Sequence, residues 1–469
     1  MTGDLSTLHA MVRYFKVAVV LTLLAAAIGR APPGGEAAAA NRWAANRPAV
    51  KRDVDVPAGI DATGGRDVTA ELNTFLAGVG PGTTVRFPSH GRYRVENVVV
   101  MDRRHDVTIE GNGSTLIATT DGSGVAVPFY NFRAHWPRMR EHFDIRDSTG
   151  ITVRDLIVQG PNPRGEYRPE LEAQAGFVIL RSKVVTLDGV TARATYGDGV
   201  YIQGLTEDVT IRNCTLDHNG RQGVAVVSGE RIVVENCTIR ATGRSAIDLE
   251  PAHGFVRTVH VRNNRVSDFT NFLLAAVGAG TGVQDIWLEH NRVEGGRGVS
   301  VFVGTERSVR LGIHVVDNSG DGVSDGYQGA LMRFTRFDGI EVKGNRQRVA
   351  DGVTPVLLVN SCNSAVAEND FQASVGTVHE DGGCSTPIPL PRARPRVPGR
   401  LPARPQPRSA DRVPRTSSTP TPTVVTVASN HGKGTSPVAI AIALAIGALT
   451  GIGGTLLMVR RRREAPDEG

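Results

Sequence analysis

The chain has 469 residues, enough for one large domain with accessory segments. Charged residues make up 21% and hydrophobic residues 40%, which excludes a disordered chain, while 5% aromatics and 54 glycines favour short strands and tight turns over helices. The net charge of +6 is smaller than the charge of the arginines within residues 392–415, so the folded part is near neutral and no nucleic-acid partner is predicted.

The first 40 residues have the features of an export signal. Arg13 and Lys16 precede an apolar run over residues 17–28, and the small residues 37–40 follow. The run is too short to span a bilayer comfortably. We therefore expect residues 1–40 to be a signal peptide, with an uncleaved anchor or a frayed helix as the alternatives.

A short amphipathic helix is predicted at residues 67–76, directly before the first strand at residues 84–87. Its apolar face consists of Val68, Leu72, Phe75 and Leu76. Asp67 is the expected helix cap. A helix at this place is expected to cover the unpaired edge at the start of a stack of strands.

A repeat of about 25 residues then dominates the chain. Three successive copies are residues 198–216 (DGVYIQGLTEDVTIRNCTL), 222–239 (QGVAVVSGERIVVENCTI) and 245–266 (SAIDLEPAHGFVRTVHVRNNRV). Each copy holds three short apolar pairs with period-2 alternation, which predicts three strands with one buried face. Such a unit cannot close a core alone, so the copies are expected to stack as coils that form three parallel sheets.

One column of residues tests this register. The position before the last apolar residue of each coil is filled by Leu156, Val190, Cys214, Cys237, Asn264, Asn291, Asn318, Asn345 and Asn369. Inward asparagines are costly unless their amides bond to the backbone or to one another, so this column predicts an asparagine ladder. Chance spacing of asparagines is the alternative.

The order of these elements resembles the pectate-lyase-like family. The helix is followed by VRFP, GRYRV, DVTIEGNGSTL and then the coils, and the resemblance covers roughly residues 57–375. It implies an all-β, right-handed parallel β-helix with an N-terminal capping helix, over residues 50–385. The GHG and RIK tripeptides of polygalacturonase-like members do not occur, and the repeat encodes stacking rather than a reaction.

The four cysteines are disulfide candidates. Cys214 and Cys237 share one column in neighbouring coils, near the distance that a disulfide needs, and two stacked free thiols are the alternative. Cys362 and Cys384 lie at the C-terminal end of the repeat and are expected to pin it. No CxxC spacing occurs, so no structural metal site is predicted.

Candidate catalytic residues follow from the register. Ile247 and Leu249 point inwards, so Asp248 and Glu250 point outwards on one strand, about 6.5–7 Å apart. Carboxylates at such spacing serve as general acid and base in glycoside cleavage. The alternative is a solvated acidic face with no chemical role.

Neighbouring coils add polar partners to this pair. Asp198, His218 and Arg221 are predicted to complete the catalytic set, and Tyr201, Gln222 and His253 to bind substrate. The resemblance to pectate lyases implies a Ca²⁺-binding acidic cluster with an arginine base, which this set approximates. Aromatic insertions at residues 128–136 and 164–170 are suited to sugar stacking.

The C-terminal segments predict a surface anchor. Residues 386–436 are rich in Pro, Arg, Ser and Thr and are expected to form an extended stalk. Residues 437–459 predict a transmembrane helix, because residues 438–459 carry no charge, and the arginine-rich tail 460–469 places the domain outside the cell. A buried core helix is the alternative. The GxxxG spacing of Gly447 and Gly451 suggests a weak homodimer.

These features predict a cell-surface β-helix protein that binds or acts on extracellular polysaccharide, as a hydrolase or as a lyase with Ca²⁺. The alternatives are a non-catalytic adhesin or wall-polymer binder, and a structural spacer.

Overall fold

The structure is a computed structural model that describes residues 52–122, 140–251, 254–276, 281–295, 297–304 and 309–383. The chain divides into two compact units, Met1–Arg52 and Asp53–Gly469, and the coils belong to the second. The predicted signal peptide, stalk, transmembrane helix with its glycine pair, and basic tail lie outside the described residues. Within those residues no helix is both long and apolar enough to cross a bilayer.

The described residues form a right-handed parallel β-solenoid of about 11 turns, so the predicted fold class is confirmed. Three parallel sheets, here called A, B and C, run along it, and each coil adds one strand to each sheet. Each coil is one rung of the solenoid. The period-2 alternation places one face of every strand in a single continuous core.

Sheet A has twelve strands: β1 (Arg52–Asp55), β3 (Thr83–Arg86), β6 (His105–Glu110), β9 (Thr149–Arg154), β12 (Lys183–Asp188), β15 (Thr206–Arg212), β18 (Gly229–Glu235), β21 (Phe255–Arg262), β24 (Gly282–Glu289), β27 (Val309–Val316), β30 (Asp338–Lys343) and β33 (Cys362–Ala367). Sheet B also has twelve: β2 (Thr63–Asp67), β4 (Arg92–Arg94), β7 (Thr115–Ile117), β10 (Ile157–Gln159), β13 (Thr191–Arg193), β16 (Thr215–Asp217), β19 (Thr238–Arg240), β22 (Arg265–Ser267), β25 (Arg292–Glu294), β28 (Ser319–Ser324), β31 (Arg346–Val349) and β34 (Asp370–Gln372). Sheet C has eleven: β5 (Val99–Asp102), β8 (Phe143–Arg146), β11 (Phe177–Leu180), β14 (Val200–Gln203), β17 (Val224–Val226), β20 (Ile247–Leu249), β23 (Leu273–Ala276), β26 (Val301–Gly304), β29 (Ala330–Thr335), β32 (Thr354–Val359) and β35 (Val378–Asp381).

The capping helix α1 (Thr69–Ala77) forms where it was predicted. Leu72 and Leu76 are buried against the first rungs, as is Val68 at the N-cap. Asp67 was expected to be the cap, but the N-cap residue is Val68, which makes no side-chain capping hydrogen bond. The carboxylate of Asp67, one residue earlier, accepts hydrogen bonds from the backbone N–H (3.0 Å) and the hydroxyl (2.6 Å) of Thr69. A short 3₁₀-helix, Pro169–Leu171, lies in the insertion before β11.

The turn from sheet A to sheet B is the most regular feature of the rungs. Nine successive rungs hold one residue there at positive φ: Asp155, Gly189, Asn213, Asn236, Asn263, His290, Asp317, Gly344 and Glu368. Seven of these nine are Gly, Asn or Asp, the residues that adopt the left-handed conformation most readily. The next residue in each rung turns into the core.

That next position forms the asparagine ladder, and the prediction is confirmed. The Oδ1 of Asn291 accepts hydrogen bonds from the backbone N–H and the side-chain amide of Asn264, each at 3.0 Å. The pattern repeats from Asn291 to Asn318, from Asn318 to Asn345 and from Asn345 to Asn369. Each amide also donates to a backbone carbonyl of the preceding rung, so these buried polar groups are satisfied.

A second ladder lies on the outer face of sheet A. In-register pairing places residues of alternating charge above one another: Arg86, Glu110, Arg154, Asp188, Arg212, Glu235, Arg262 and Glu289. The ion pairs Arg154–Glu110 and Arg212–Asp188 have N–O distances of 2.7 and 2.8 Å. Opposite charges directly across a strand pair favour this arrangement. A pairing that skipped one rung would place like charges next to each other.

The cysteines divide into two groups. Cys214 and Cys237 stack in one column as predicted, but they are buried free thiols, so the disulfide alternative is wrong for this pair. Their thiols donate weakly to the backbone carbonyls of Arg212 (3.1 Å) and Glu235 (3.2 Å) and act as small core fillers. Cys362 is disulfide-bonded. Cys384 lies outside the described residues.

Candidate active site

The candidate site lies on the outer face of sheet C, where three neighbouring strands bring the predicted residues together. Parallel pairing of β14, β17 and β20 places Tyr201, Ala225 and Asp248 in one outward column. Asp198 and Gln222 occupy equivalent positions in the turns before β14 and β17, because Gly199 N–H donates to the carbonyl of Gln222. The register deduced from the repeat is therefore confirmed here.

Arg221 is the centre of the site. It lies in the turn before β17 and extends one nitrogen to Asp198 (3.1 Å) and another to Glu250 (2.6 Å). Its Nε is 3.7 Å from Glu172, on the insertion that precedes β11. Burial disfavours a charged guanidinium, but Asp198 and Glu250 outweigh it and hold the pKa of Arg221 well above its usual value.

Asp248 faces outwards from the coil but not into solvent. Its side chain is 0% exposed, so the outward direction predicted for it does not expose it to solvent. Gln222 Nε2 donates to Oδ2, and no described donor reaches Oδ1. The carboxyl group also shares a side-chain hydrogen bond with Glu250, which the protonated form of Asp248 donates. Burial, and then the negative charge of Glu250, raise the pKa of Asp248 well above its usual value. The surroundings of Asp248 therefore favour its neutral, protonated form.

Glu250, two residues further on, has the opposite character. Its side chain keeps 22% of its surface exposed, and both carboxylate oxygens accept from Arg221, at 2.6 and 2.7 Å. Burial acts to raise its pKa, but the charge and hydrogen bonds of Arg221 prevail and hold the pKa of Glu250 below its usual value. One strand thus carries a carboxyl group whose surroundings favour the protonated form beside one whose surroundings favour the ionised form.

Asp198 is buried next to Arg221, with 2% of its surface exposed. Its Oδ1 accepts the backbone N–H of Gln222 at 3.0 Å. Burial raises the pKa of Asp198 to about 6, against the charge of Arg221. The bond to the Gln222 backbone shows that Asp198 also serves the turn that precedes β17.

The remaining predicted residues are not all brought into this cluster. His218 Nδ1 lies 2.6 Å from Asp217 Oδ1, and among the described residues it makes no hydrogen bond or ion pair with Arg221 or the site carboxylates. Its predicted supporting role has no geometric basis, because the turn directs its ring towards the end of β16. Tyr201 is half-buried, and its hydroxyl donates to Gln203 (3.2 Å). His253 lies outside the described residues.

The position of Gln222 differs from the one predicted. It was predicted to bind substrate, but it is completely buried and both ends of its amide are used within the protein. Nε2 donates to Asp248, and Oε1 accepts the backbone N–H of Ser245 at 2.6 Å. The stacking of the turns explains this, because it places the side chain of Gln222 over the next rung.

The insertion before β11 supplies a residue that the sequence did not reveal. Glu172 contacts Arg221 and accepts a hydrogen bond from the hydroxyl of Tyr167 (2.6 Å). The guanidinium of Arg244 lies 5.2 Å from the centre of the Tyr167 ring. A Cβ on Gly197 would lie 2.4 Å from the Glu172 carbonyl, so the glycine lets the insertion pack directly on the coil. Glu172 lies outside the repeat, so no register argument could find it.

No metal centre is indicated by the geometry. Among residues of the ranges that the structure describes, no group of three or more His, Cys, Asp and Glu side chains is arranged to hold a metal ion. The carboxylates of Asp198 and Glu250 are both directed at Arg221, which supplies the positive charge between them. These residues therefore do not fit the Ca²⁺ site that the family resemblance implied.

The stacked rungs form a right-handed parallel β-helix. A cluster of charged residues lies on the outer face of sheet C, where it is largely covered from solvent. Residues 98–293 match the family described as right handed beta helix region. No curated protein matches the chain.

Several solved structures share the fold. An endo-xylogalacturonan hydrolase from Aspergillus tubingensis is 12% identical, with a TM-score of 0.51 over 71% of this chain and 96% of that one. A family 28 exopolygalacturonase from Yersinia enterocolitica is 13% identical, with a TM-score of 0.49 over 70% of this chain and 77% of that one. The surface adhesin PfbA of Streptococcus pneumoniae is 14% identical, with a TM-score of 0.47 over 68% of this chain and 91% of that one. At these identities the similarity concerns the fold.

Proposed function

We propose that this protein cleaves an extracellular polysaccharide by hydrolysis, with Asp248 as the general acid and Glu250 as the second carboxylate. The observation that carries the proposal is the contrast between these two residues on one strand. The pKa of Asp248 is raised and that of Glu250 is lowered. Two carboxyl groups whose environments push their pKa values apart are suited to the separate acid and base roles of glycoside hydrolysis.

In this mechanism the proton on Asp248 passes to the glycosidic oxygen as the bond to the leaving sugar breaks. Glu250, ionised and partly exposed, faces the developing positive charge on the sugar or directs the attacking water. Arg221 keeps Glu250 ionised and fixes its orientation through two hydrogen bonds. Because Asp248 is buried, the reaction also requires a rearrangement that exposes its carboxyl group when substrate binds.

Hydrolysis is favoured over β-elimination by the position of Arg221. A Ca²⁺-dependent lyase would need carboxylates free to bind the cation, and here Asp198 and Glu250 both contact the guanidinium. The fold shared with an endo-xylogalacturonan hydrolase is compatible with a polysaccharide substrate but does not by itself select one.

We also propose that the protein is located at the cell surface. The export signal at residues 1–40, the stalk at 386–436 and the apolar segment at 437–459 support an exported protein held at the membrane by its C-terminal end. Cell fractionation, with protease treatment of intact cells, tests this topology. Protection of the β-helix from the protease would contradict it.

The test of the reaction uses Asp248→Asn and Glu250→Gln in the full chain, assayed for new reducing ends on a panel of polysaccharides. Each change keeps the shape of the side chain but removes the acid or the carboxylate, so turnover should fall at least about 100-fold. Matched controls are Asp188→Asn and Glu235→Gln, which break ion pairs of the ladder on sheet A. Full activity in both site variants would remove Asp248 and Glu250 from the mechanism.

A second candidate function is polysaccharide binding without turnover. The complete burial of Asp248 favours it, since a buried acid cannot contact a substrate without a rearrangement that exposes it. Glycan-array binding by the wild type, retained in Asp248→Asn and unaccompanied by reducing ends, would select this function.

A further inference from the structure

Gln222 links three elements of the site. Its backbone N–H donates to Asp198 (3.0 Å), its Oε1 accepts from the backbone of Ser245 (2.6 Å), and its Nε2 donates to Asp248. All of these groups are buried. The Ser245 N–H can only donate, so it fixes which end of the amide is oxygen and therefore which end faces Asp248.

This orientation has a consequence for the Asp248 carboxyl. Because an amide N–H occupies Oδ2, the acidic proton of the neutral group resides on Oδ1. No described donor reaches Oδ1, and the in-register neighbours of Asp248 are the apolar Ala225 and Leu274. The one side-chain partner for the acidic proton is Glu250, with which Asp248 shares a hydrogen bond that the protonated Asp248 donates. The charged groups that face the carboxyl are Glu250 on its own strand and Arg221 and Asp198 from the preceding turns.

We propose that Gln222 is a positioning residue that holds Oδ2 of Asp248, so that Oδ1 presents the transferable proton. This inference rests on the proposed function, in which Asp248 is the general acid. Gln222 itself does not touch substrate; it sets which oxygen of its neighbour is the donor. Its amide also stabilises the ionised form of Asp248, because an N–H donor favours a carboxylate over a carboxylic acid.

The first measurement needs no substrate. Asp248 binds its proton more tightly in the folded than in the unfolded chain, so stability should fall as pH rises from the unfolded carboxyl pKa to the folded one. Asp248→Asn should reduce this fall and leave the part that Asp198 contributes up to about pH 6. Gln222→Leu deletes the donor to Oδ2, so the fall should extend about one pH unit higher.

Gln347→Leu is the matched control, because Gln347 is also buried and its amide bonds to the backbone of Gly322 and Arg348 in distant rungs. It should lower the melting temperature without moving the upper pH at which stability levels off. The second measurement is the pH profile of hydrolysis on a polysaccharide that the wild type cleaves. Gln222→Leu should lower kcat at least tenfold with KM changed less than threefold, and shift the alkaline limb upwards.

The outcomes separate the two proposals. If Asp248→Asn reduces the pH-dependent fall but Gln222→Leu leaves its upper limit unmoved, Gln222 has only a structural role and the inference is overturned. If Gln222→Leu moves that limit while Asp248→Asn retains full hydrolysis, Gln222 acts on Asp248 but the proposed acid is wrong. A shift in Gln347→Leu equal to that in Gln222→Leu would also overturn the inference.

Discussion

Val184 holds its backbone at φ +54° and is 54% exposed, in a column of sheet A whose other members are mostly Gly, Asp and Asn. A β-branched residue is unfavourable in this left-handed conformation. Val184→Asn should therefore raise the free energy of unfolding by about 1 kcal/mol, because the strain is relieved and little apolar burial is lost.

Thermal and chemical unfolding measure this change. Val323→Asn provides the comparison, since Val323 is 45% exposed and is not among the residues at positive φ. An equal gain in both variants would show that surface polarity, and not backbone strain, is responsible.

Single residues also show where sequence reasoning reaches its limit. The alternation Ile247–Leu249 fixed the outward direction of Asp248, and the turns placed Arg221 beside it, so the cluster could be predicted. Whether an outward side chain meets solvent depends on what covers it, and the insertions that lie outside the repeat carry no register. For this reason the burial of Asp248 and the contribution of Glu172 were not predicted.

At the scale of the elements, each position of the asparagine ladder requires a side chain that accepts hydrogen bonds from the asparagine of the preceding rung. Asn291→Leu would leave the backbone N–H and the amide of Asn264 without their acceptor in a buried column. The loss should be about 3 kcal/mol or more, since two buried donors lose a partner within one network. Urea unfolding of the full chain gives the value.

Cys214→Val is the control in the same column, two rungs before the ladder begins. It exchanges one small apolar side chain for another and should cost about 1 kcal/mol. Equal losses in Asn291→Leu and Cys214→Val would mean that the ladder contributes packing alone.

The asparagine ladder and the charge ladder of sheet A differ in how easily they can be recognised in the sequence. Asparagine recurs every 27 residues from Asn264 to Asn345, so its column is visible in the sequence. The charge ladder of sheet A alternates in sign and runs through rungs of unequal length. It becomes visible only when the strand register is known.

At the scale of the whole molecule, each inner rung has two neighbours and the last rung has only one along the described chain. The strands of that rung, β33 to β35, are largely exposed. Stability in such a stack is a sum of neighbouring contacts. Hydrogen exchange should therefore be fastest in residues 362–381 and slowest around β15 to β21, measured by mass spectrometry at neutral pH. Uniform exchange along the coils would contradict this view.

The constant 27-residue step has a consequence for how this molecule can change in length. Excising residues 292–318 would join Asn291 to Ser319, and Ser319 already pairs with Arg292 as its equivalent one rung earlier. Asn291 would then lie directly over Asn345, and the solenoid would shorten by one strand spacing, about 4.8 Å. Duplication of the same segment would lengthen it equally. Loss or duplication of a 27-residue segment in the gene can therefore change the length of the solenoid by whole rungs. The residues on β20 would not be altered.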